Sequence, residues 1–564
     1  MTGLLSSSAA GYRAMLLGRA RCLAGLAVRD SSVLSTPARR LATWAGCAAL
    51  VLLALRSFLL AQGLRANEVD ESVYTYVGWS WAEGYWPYLQ SWDHKGPVVY
   101  LTTLLRVVLL GLEPEVIGFQ HGVVGTMTAL LVAAIASRLW AGMGPVVAFT
   151  LGVLLWTQRA PQAGVMATPD SLISMFSAGA VLAALGAAEH KSFRGSVVLA
   201  ALAGLSSGLA VCTKPNAVGG LVVGLVALWW LGGRWTVRRR MVLVSMIAVG
   251  VAVPVVVFAI VFSYANALDA LVDSYIVFNS IFGRWSLSHA GVSELVQRAA
   301  MSAAQAGILR PRLIAALVAL TVIAAAPTLV LKAGRQLSLR THDLIIGVWL
   351  LVELGLFISN GAWPYHIFPA LPAVALGATW LVITLSRLPY LLGRACSLVA
   401  FSLLVIPLML STIDSHPPSE HVYRKSADWN RVVERAVQAT RPEDKVLILT
   451  WDHTFIMNLI RCHSITRYIH TVPLIIPGYT SDGKWVELLD EVEANPPRVI
   501  LVSVFRQEFP PDVLTALDWA FQFFFRPPYD NTPYPHREQF RTFIARSYRL
   551  DTCGEETCLL RHLD

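Results

Sequence analysis

The chain is 564 residues long, 55% hydrophobic and only 14% charged, with a mean hydropathy of +0.56. Soluble domains carry nearer to about a quarter charged residues, so a soluble globular enzyme is excluded and a polytopic membrane protein is indicated. The formal net charge of +9 sits in short runs beside apolar stretches, which argues against a nucleic-acid surface.

Residues 1–41 carry Arg13, Arg19, Arg21, Arg29, Arg39 and Arg40 and lack an apolar core followed by a small-residue cleavage site. They read as a cytoplasmic basic tail ahead of an uncleaved first anchor. Apolar runs long enough to cross a hydrocarbon core of ~30 Å lie near 42–62, 96–112, 116–138, 140–157, 171–188, 195–212, 215–233, 241–263, 313–331, 343–359, 367–386 and 391–411. Residues 42–411 are therefore expected to form one transmembrane domain of about 11–13 spans, with 412–564 as a separate domain.

Basic clusters fill alternate short loops: Lys191 and Arg194; Arg234 and Arg238 to Arg240; Lys332, Arg335 and Arg340; Arg387 and Arg394. The positive-inside rule puts these loops in the cytoplasm. Counting crossings from Arg39 and Arg40 then puts the loop 63–95 outside, together with the Asp170 region and the turn at Lys214. A juxtamembrane helix over 264–290, the turn ending at His366 and the C-terminal domain fall outside as well. Arg310 and Arg312 lie on that side too, against the rule. An even number of crossings must separate residue 96 from Asp170, yet three apolar runs lie there, so one is broken, re-entrant or lies along the surface.

The loop 63–95 is the most informative segment. It holds Asp70, Glu71, Asp93, His94 and Lys95 among eight aromatic residues from Tyr74 to Trp92. Each acidic side chain would cost roughly 2.5–3.5 kcal/mol at mid-bilayer, so such a cluster beside a span suggests a polar chamber. Val73, Tyr76, Val77 and Trp81 stand at helical spacing, which predicts an interfacial helix over 70–84. Taken singly, the acidic pair fits a solvated helix cap, the aromatics an interfacial belt and Asp170 an N-terminal dipole partner.

In the tail, Lys445–Thr450 and Arg498–Ser503 read as buried strands, 454–461 as a helix, and Tyr548–Leu550 with Cys558–Arg561 as a closing hairpin. A small α/β domain with a partly parallel sheet is expected. Of the seven cysteines only Cys553 and Cys558 stand close enough to pair locally, and no metal-ligand spacing appears. A disulfide there fits an oxidising exterior.

Four outward places gather polar groups: Asp70 and Glu71 with Asp93, His94 and Lys95; Arg159 through Asp170; Lys214; and Tyr365 with His366. A carboxylate beside a lysine stays ionised and can take a proton from a hydroxyl. Lysine, arginine and histidine at the same level suit a phosphate. Together they suit transfer from a lipid-linked phosphate donor to a hydroxyl.

These residues carry a resemblance. Val69-Asp-Glu-Ser-Val-Tyr-Thr-Tyr, followed by Gly84-Tyr-Trp-Pro-Tyr and Asp93-His-Lys-Gly-Pro, resembles the first outer loop of GT-C-fold glycosyltransferases. The likeness is greatest to the protein O-mannosyltransferase branch and the aminoarabinose transferase that modifies lipid A. Ala167-Thr-Pro-Asp-Ser-Leu-Ile is similar to their second acidic motif, Gly204-Leu-Ser-Ser-Gly-Leu-Ala-Val-Cys-Thr-Lys-Pro to their Gly-rich span ending in lysine, and Trp363-Pro-Tyr-His-Ile-Phe-Pro to their late aromatic-His turn. The likeness runs in order over 40–410, and more loosely over the tail.

The resemblance implies a GT-C-like polytopic helical membrane protein with an extracytoplasmic α/β domain, using a polyprenyl-phosphate-linked sugar in the cytoplasmic membrane. The acceptor would be a lipid, glycan or protein; membrane lipids surround it and no nucleic acid is involved. Asp70 would be the catalytic base, with Glu71 and Asp170 positioning the acceptor or holding the base. Lys95, Lys214 and Arg284 would bind the leaving phosphate, and His94, Tyr365 and His366 complete the donor site. Asp93-His94 departs from the lipid A enzyme's loop, which leaves the acceptor open. No cofactor is implied with certainty; a divalent cation shared by Asp70 and Asp170 stays open. A lipid-linked sugar flippase explains the spans and outer charges but not the tail or motif order. A non-catalytic scaffold is the remaining alternative.

Overall fold

Long apolar runs in a chain without water must satisfy their backbone internally, and here they do so as helices. The computed structural model describes residue 46, then 48–52, 69–112, 114–140, 143–156, 168–288, 341–359, 364–386, 397–402, 404–406, 427–449, 461–474, 476, 478–503, 510–522, 534–554 and 557–563. The basic tail, most of the first anchor, Arg159, Arg310, Arg312, the run 313–331 and residues 454–460 of the expected tail helix lie outside the described residues.

The described helices of the membrane domain are α1 (Val69–Ala82), α2 (Pro97–Leu110), α3 (Pro114–Leu139), α4 (Gly144–Trp156), α5 (Thr168–Glu189), α6 (Phe193–Val211), α7 (Gly219–Leu231), α8 (Val237–Tyr264), α9 (Phe278–Ser288), α10 (Thr341–Ser359) and α11 (Leu371–Ser386). Four described stretches are long and apolar enough to cross a membrane: Val116–Leu139, Pro169–Glu189, Phe193–Val211 and Val237–Tyr264. On α8, Val249, Val253, Val255, Val256, Val257 and Ile260 are exposed, as lipid-facing side chains would be. Its other face closes on α6 through glycines. A side chain on Gly204 would overlap the Ile247 carbonyl, and one on Gly250 the Ala201 carbonyl. Small residues let two helix backbones approach closely where no hydrophobic effect drives them together.

Helix directions resolve the crossing count. Asp170 opens α5 at one end of the bundle, and Glu189 closes it at the other. Arg138, at the C-terminus of α3, pairs with Glu189 at 2.9 Å, so α3 runs parallel to α5. Near the start of α3, His121 packs on Trp156, which ends α4, so α4 returns to the Asp170 end. Helix α2 begins at that same end and lies only a few residues before α3. Both its ends are therefore at one end of the bundle. The run 96–112 is the one of the three whose two ends lie at the same end of the bundle. The basic turns at Lys191–Arg194 and Arg238–Arg240 lie at the opposite end from Asp170, as alternating loops require.

The expected interfacial helix is present as α1, but it is sunk in protein rather than laid on a surface: Val73, Tyr74, Tyr76 and Val77 are all buried. After α8 the chain runs through a short helix, Leu268–Leu271, and a π-helical turn, Val272–Val277, into α9, in place of one regular juxtamembrane helix.

Among the described residues the tail folds around a five-stranded mixed sheet in the order β2-β1-β3-β5-β4, with β1 Lys445–Leu449, β2 His463–Ser464, β3 Val499–Ser503, β4 Tyr548–Cys553 and β5 Thr557–His562. Strand β1 pairs parallel with β2 and β3, whereas β5 pairs antiparallel with β3 and β4. Val446 to Leu449 are wholly buried, as a continuous apolar run predicts for a strand covered on both faces. Val446 and Ile448 belong to the same hydrophobic cluster as Val432 and Ala436 of α12 (Ala427–Ala439). Leu447 and Leu449, on the other face, belong to the cluster that holds Trp485 and Leu488 of α13 (Asp482–Ala494). Cys553 and Cys558 are disulfide-bonded where β4 turns into β5.

Candidate active site

Three stretches far apart in sequence are stitched together at the Asp170 end. Gly96 donates its N–H to the Thr213 carbonyl at 2.9 Å, and Val98 donates to Cys212 at 3.2 Å. Two backbone bonds thus lay the loop carrying Lys95 beside the turn carrying Lys214. Lys214 Nζ in turn reaches Asp170 Oδ2 at 2.6 Å. Asp70, half-buried at the start of α1, accepts from the Tyr74 hydroxyl at 3.4 Å. The Lys95 ammonium stands 5.7 Å from the Tyr74 ring centroid, in cation–π range. Lys95 and Asp70 are both close enough for their charges to act on Asp170 and Lys214.

A second polar cluster backs Lys95. Lys95 Nζ contacts His94 Nε2 at 2.7 Å, and His94 Nδ1 lies 3.1 Å from Asp93 Oδ1. Asp93 is 2% exposed; it accepts from the Tyr100 hydroxyl at 2.6 Å and from the His94 backbone N–H at 2.7 Å. Burial by itself raises a carboxyl, but the Lys95 charge and hydrogen bonds from His470 and His94 hold Asp93 well below the usual carboxylate range. Burial, then the Lys95 charge, pushes the His94 imidazole down to about 4, so it is neutral at physiological pH. Tyr88 donates to the Lys95 carbonyl at 2.8 Å and Asn279 to the His94 carbonyl at 2.7 Å. The loop is held from α2, from α9 and from the tail domain at once.

The tail domain closes over this loop. Trp92 donates its backbone N–H to Arg467 at 2.7 Å and its indole N–H to the Tyr479 hydroxyl at 3.0 Å, while Tyr479 donates to Asp273 at 2.6 Å. His463 stacks on Trp79 with ring centroids 4.5 Å apart, and the Ser464 N–H donates to Tyr76 at 2.8 Å. His470 Nε2 comes within 3.8 Å of Asp93 Oδ1.

No protein-family model and no curated protein matches the sequence. Solved structures do match. ArnT from Cupriavidus metallidurans in the apo state, a lipid A aminoarabinose transferase, superposes with a TM-score of 0.54 at 14% identity, over 94% of this chain and 99% of that one. The same protein bound to undecaprenyl phosphate gives 0.54 at 15% identity, over 92% and 97%. The oligosaccharyltransferase AglB from Archaeoglobus fulgidus, in complex with an inhibitory peptide and a dolichol-phosphate, gives 0.47 at 10% identity, over 81% and 69%. The fold is GT-C.

Within this GT-C fold the remaining expected site residues are placed as follows. Glu71 is 1% exposed and spends its carboxylate on Arg106 of α2, at 2.6 Å; Arg106 also donates to Thr75 at 2.5 Å. The pair fastens α1 to α2 rather than joining Asp70. Arg284 is exposed on α9 and returns its Nε to the Ser280 carbonyl of its own helix at 3.1 Å, so the structure does not bring it to the two lysines. His366 is half-buried in the 3-10 turn Pro364–Ala370, in which Phe368 packs on His121 and Trp156; the Tyr365 side chain lies outside the described residues.

The residues do not fit a divalent cation shared by Asp70 and Asp170. Two ammonium groups already act on Asp170, one in contact, and a third positive charge would be repelled. Among the described residues no group of three or more His, Cys, Asp or Glu side chains could hold a metal.

Sequence reasoning passed over Tyr74, Tyr100, Arg106, His470 and Glu353. Arg106 and Glu353 carried a legible signal, as the lone charges inside the apolar stretches Pro97–Leu110 and Leu344–Phe357. Glu353 is 3% exposed, accepts from Trp349 Nε1 at 3.2 Å and packs against Gly219. Nothing in the sequence singles out His470.

Proposed function

We propose that the protein is an integral-membrane glycosyltransferase that moves a sugar from a polyprenyl-phosphate donor to a hydroxyl of a lipid, glycan or protein acceptor. The observation that carries this reading is the convergence of Asp70, Lys95, Asp170 and Lys214 at one end of a GT-C bundle. ArnT, whose fold the chain shares, has been captured with undecaprenyl phosphate, which supports a lipid phosphate as the leaving group here. The basic turns at the opposite end support an outer-face site in the cytoplasmic membrane, with the tail domain extracytoplasmic.

Asp70 takes the proton from the acceptor hydroxyl as its oxygen attacks the anomeric carbon. The bond from that carbon to the phosphate oxygen breaks on the opposite face, and configuration inverts through an oxocarbenium-like centre. The lipid phosphate leaves as an anion stabilised by Lys95 and Lys214, so no acid is needed to protonate it. Asp170 orients Lys214 through their 2.6 Å contact, a role closer to the phosphate than to the acceptor.

Membranes containing the full chain are expected to form new glycoside from a labelled polyprenyl-phosphate sugar, and Asp70→Asn to abolish it at unchanged expression. Equal transfer by that variant removes Asp70 as the base. Label crossing vesicles with no new glycoside would instead identify a flippase.

A further inference from the structure

The two lysines of the site are held by opposite means. Lys214 touches a carboxylate, which offsets its charge. Lys95 touches an imidazole nitrogen, and an ammonium can only donate, so His94 Nε2 must present a bare lone pair. The ring's proton then lies on Nδ1, the atom facing Asp93 at 3.1 Å. Asp93 is fixed in turn by Tyr100 on one oxygen and by the His94 N–H on the other, with His470 of the tail domain 3.8 Å away. A lysine side chain has many rotamers, and an uncharged acceptor removes some of that freedom without placing a carboxylate against the ammonium.

We propose that Asp93 and His94 are positioning residues for the donor phosphate: Asp93 fixes the His94 tautomer, and His94 holds Lys95 through Nε2 so that no carboxylate sits in contact with the ammonium that meets the phosphate. His470 extends this line into the tail domain, so that domain is part of the donor site and not only a brace for the bundle. The inference rests on the reading of Lys95 as a phosphate-binding group. It assigns the Asp93-His94 dipeptide to the donor side of the reaction.

The test measures binding of undecaprenyl phosphate, with undecaprenol as the uncharged control, to full-length protein in nanodiscs. His94→Phe is expected to weaken phosphate binding about tenfold while leaving undecaprenol unchanged. His94→Gln, whose amide oxygen can accept from Lys95, is expected to stay within about threefold of wild type. Asp93→Asn and His470→Phe are expected to weaken phosphate binding several-fold, with the same selectivity. Such selectivity and the rescue by glutamine are not produced by a purely structural role. Wild-type affinity in both Asp93→Asn and His470→Phe, or in His94→Phe, overturns the inference when Lys95→Ala still loses binding; the donor reading then stands. Wild-type affinity in Lys95→Ala overturns the donor reading and the inference with it.

Discussion

Gly96 sits against the Cys212 carbonyl so closely that any side chain would overlap it, while its N–H bonds the next carbonyl, Thr213, at 2.9 Å. One glycine thus sets the separation of the two lysine-bearing segments. Gly96→Ala must push the two backbones apart, at a cost of about 1–3 kcal/mol. The expected result is a lower unfolding temperature and loss of most transfer activity, whereas Gly84→Ala, where nothing lies within 4 Å, keeps activity despite its strained φ of +95°.

The Asp170–Lys214 pair predicts a cycle with two different outcomes. Each side chain is nearly buried, 3% and 11% exposed, so removing one leaves an uncompensated charge at about 3–5 kcal/mol. Asp170→Ala and Lys214→Ala are each expected to destabilise the protein. The double variant recovers much of the stability but not the transfer. Thermal unfolding and initial rates on the same preparations separate the two.

Glu71 and Arg106 predict the reverse. Their 2.6 Å contact joins α1 to α2, and both side chains are no more than 3% exposed. Arg106→Ala alone is expected to destabilise by about 3–5 kcal/mol, whereas Glu71→Leu with Arg106→Met is nearly neutral. Transfer by folded double variant should stay within a few-fold of wild type. A collapse of the rate at wild-type stability would return Glu71 to the chemistry.

The His94 imidazole is held down to about 4 from an ordinary value of 6.5, so the unfolded chain binds a proton over that interval that the folded protein does not. Stability from this group is complete above about pH 6.5 and falls as the pH drops towards 4. Asp93 acts in the same direction at lower pH, since its folded carboxyl lies below its ordinary 3.8. Wild-type protein is expected to lose stability more steeply between pH 6.5 and 4 than His94→Gln. Parallel melting curves over that interval would refute it.

Much of this architecture was readable because its signals are local. The apolar runs, the alternating basic turns and the strand at 445–449 follow from composition over a few residues. Asp70, Lys95, Asp170 and Lys214 stood out as charges at span edges. What escaped were facts of depth and partner. Glu71 and Asp70 are neighbours in sequence, but only the folded chain brings Arg106 to Glu71 and turns it to a different use. The run 96–112 is apolar like a span, yet its two ends lie at the same end of the bundle. The His470–Asp93 approach spans hundreds of residues and leaves no trace in either segment.

Trp92 has a consequence for how the protein matures. Its indole N–H finds its acceptor 387 positions downstream, at Tyr479. While the nascent chain is still being threaded into the bilayer, every helix of the bundle can be in place and that N–H still lacks its acceptor. The tail's hold on the loop next to Lys95 can therefore form only after residue 479 has been made and has docked.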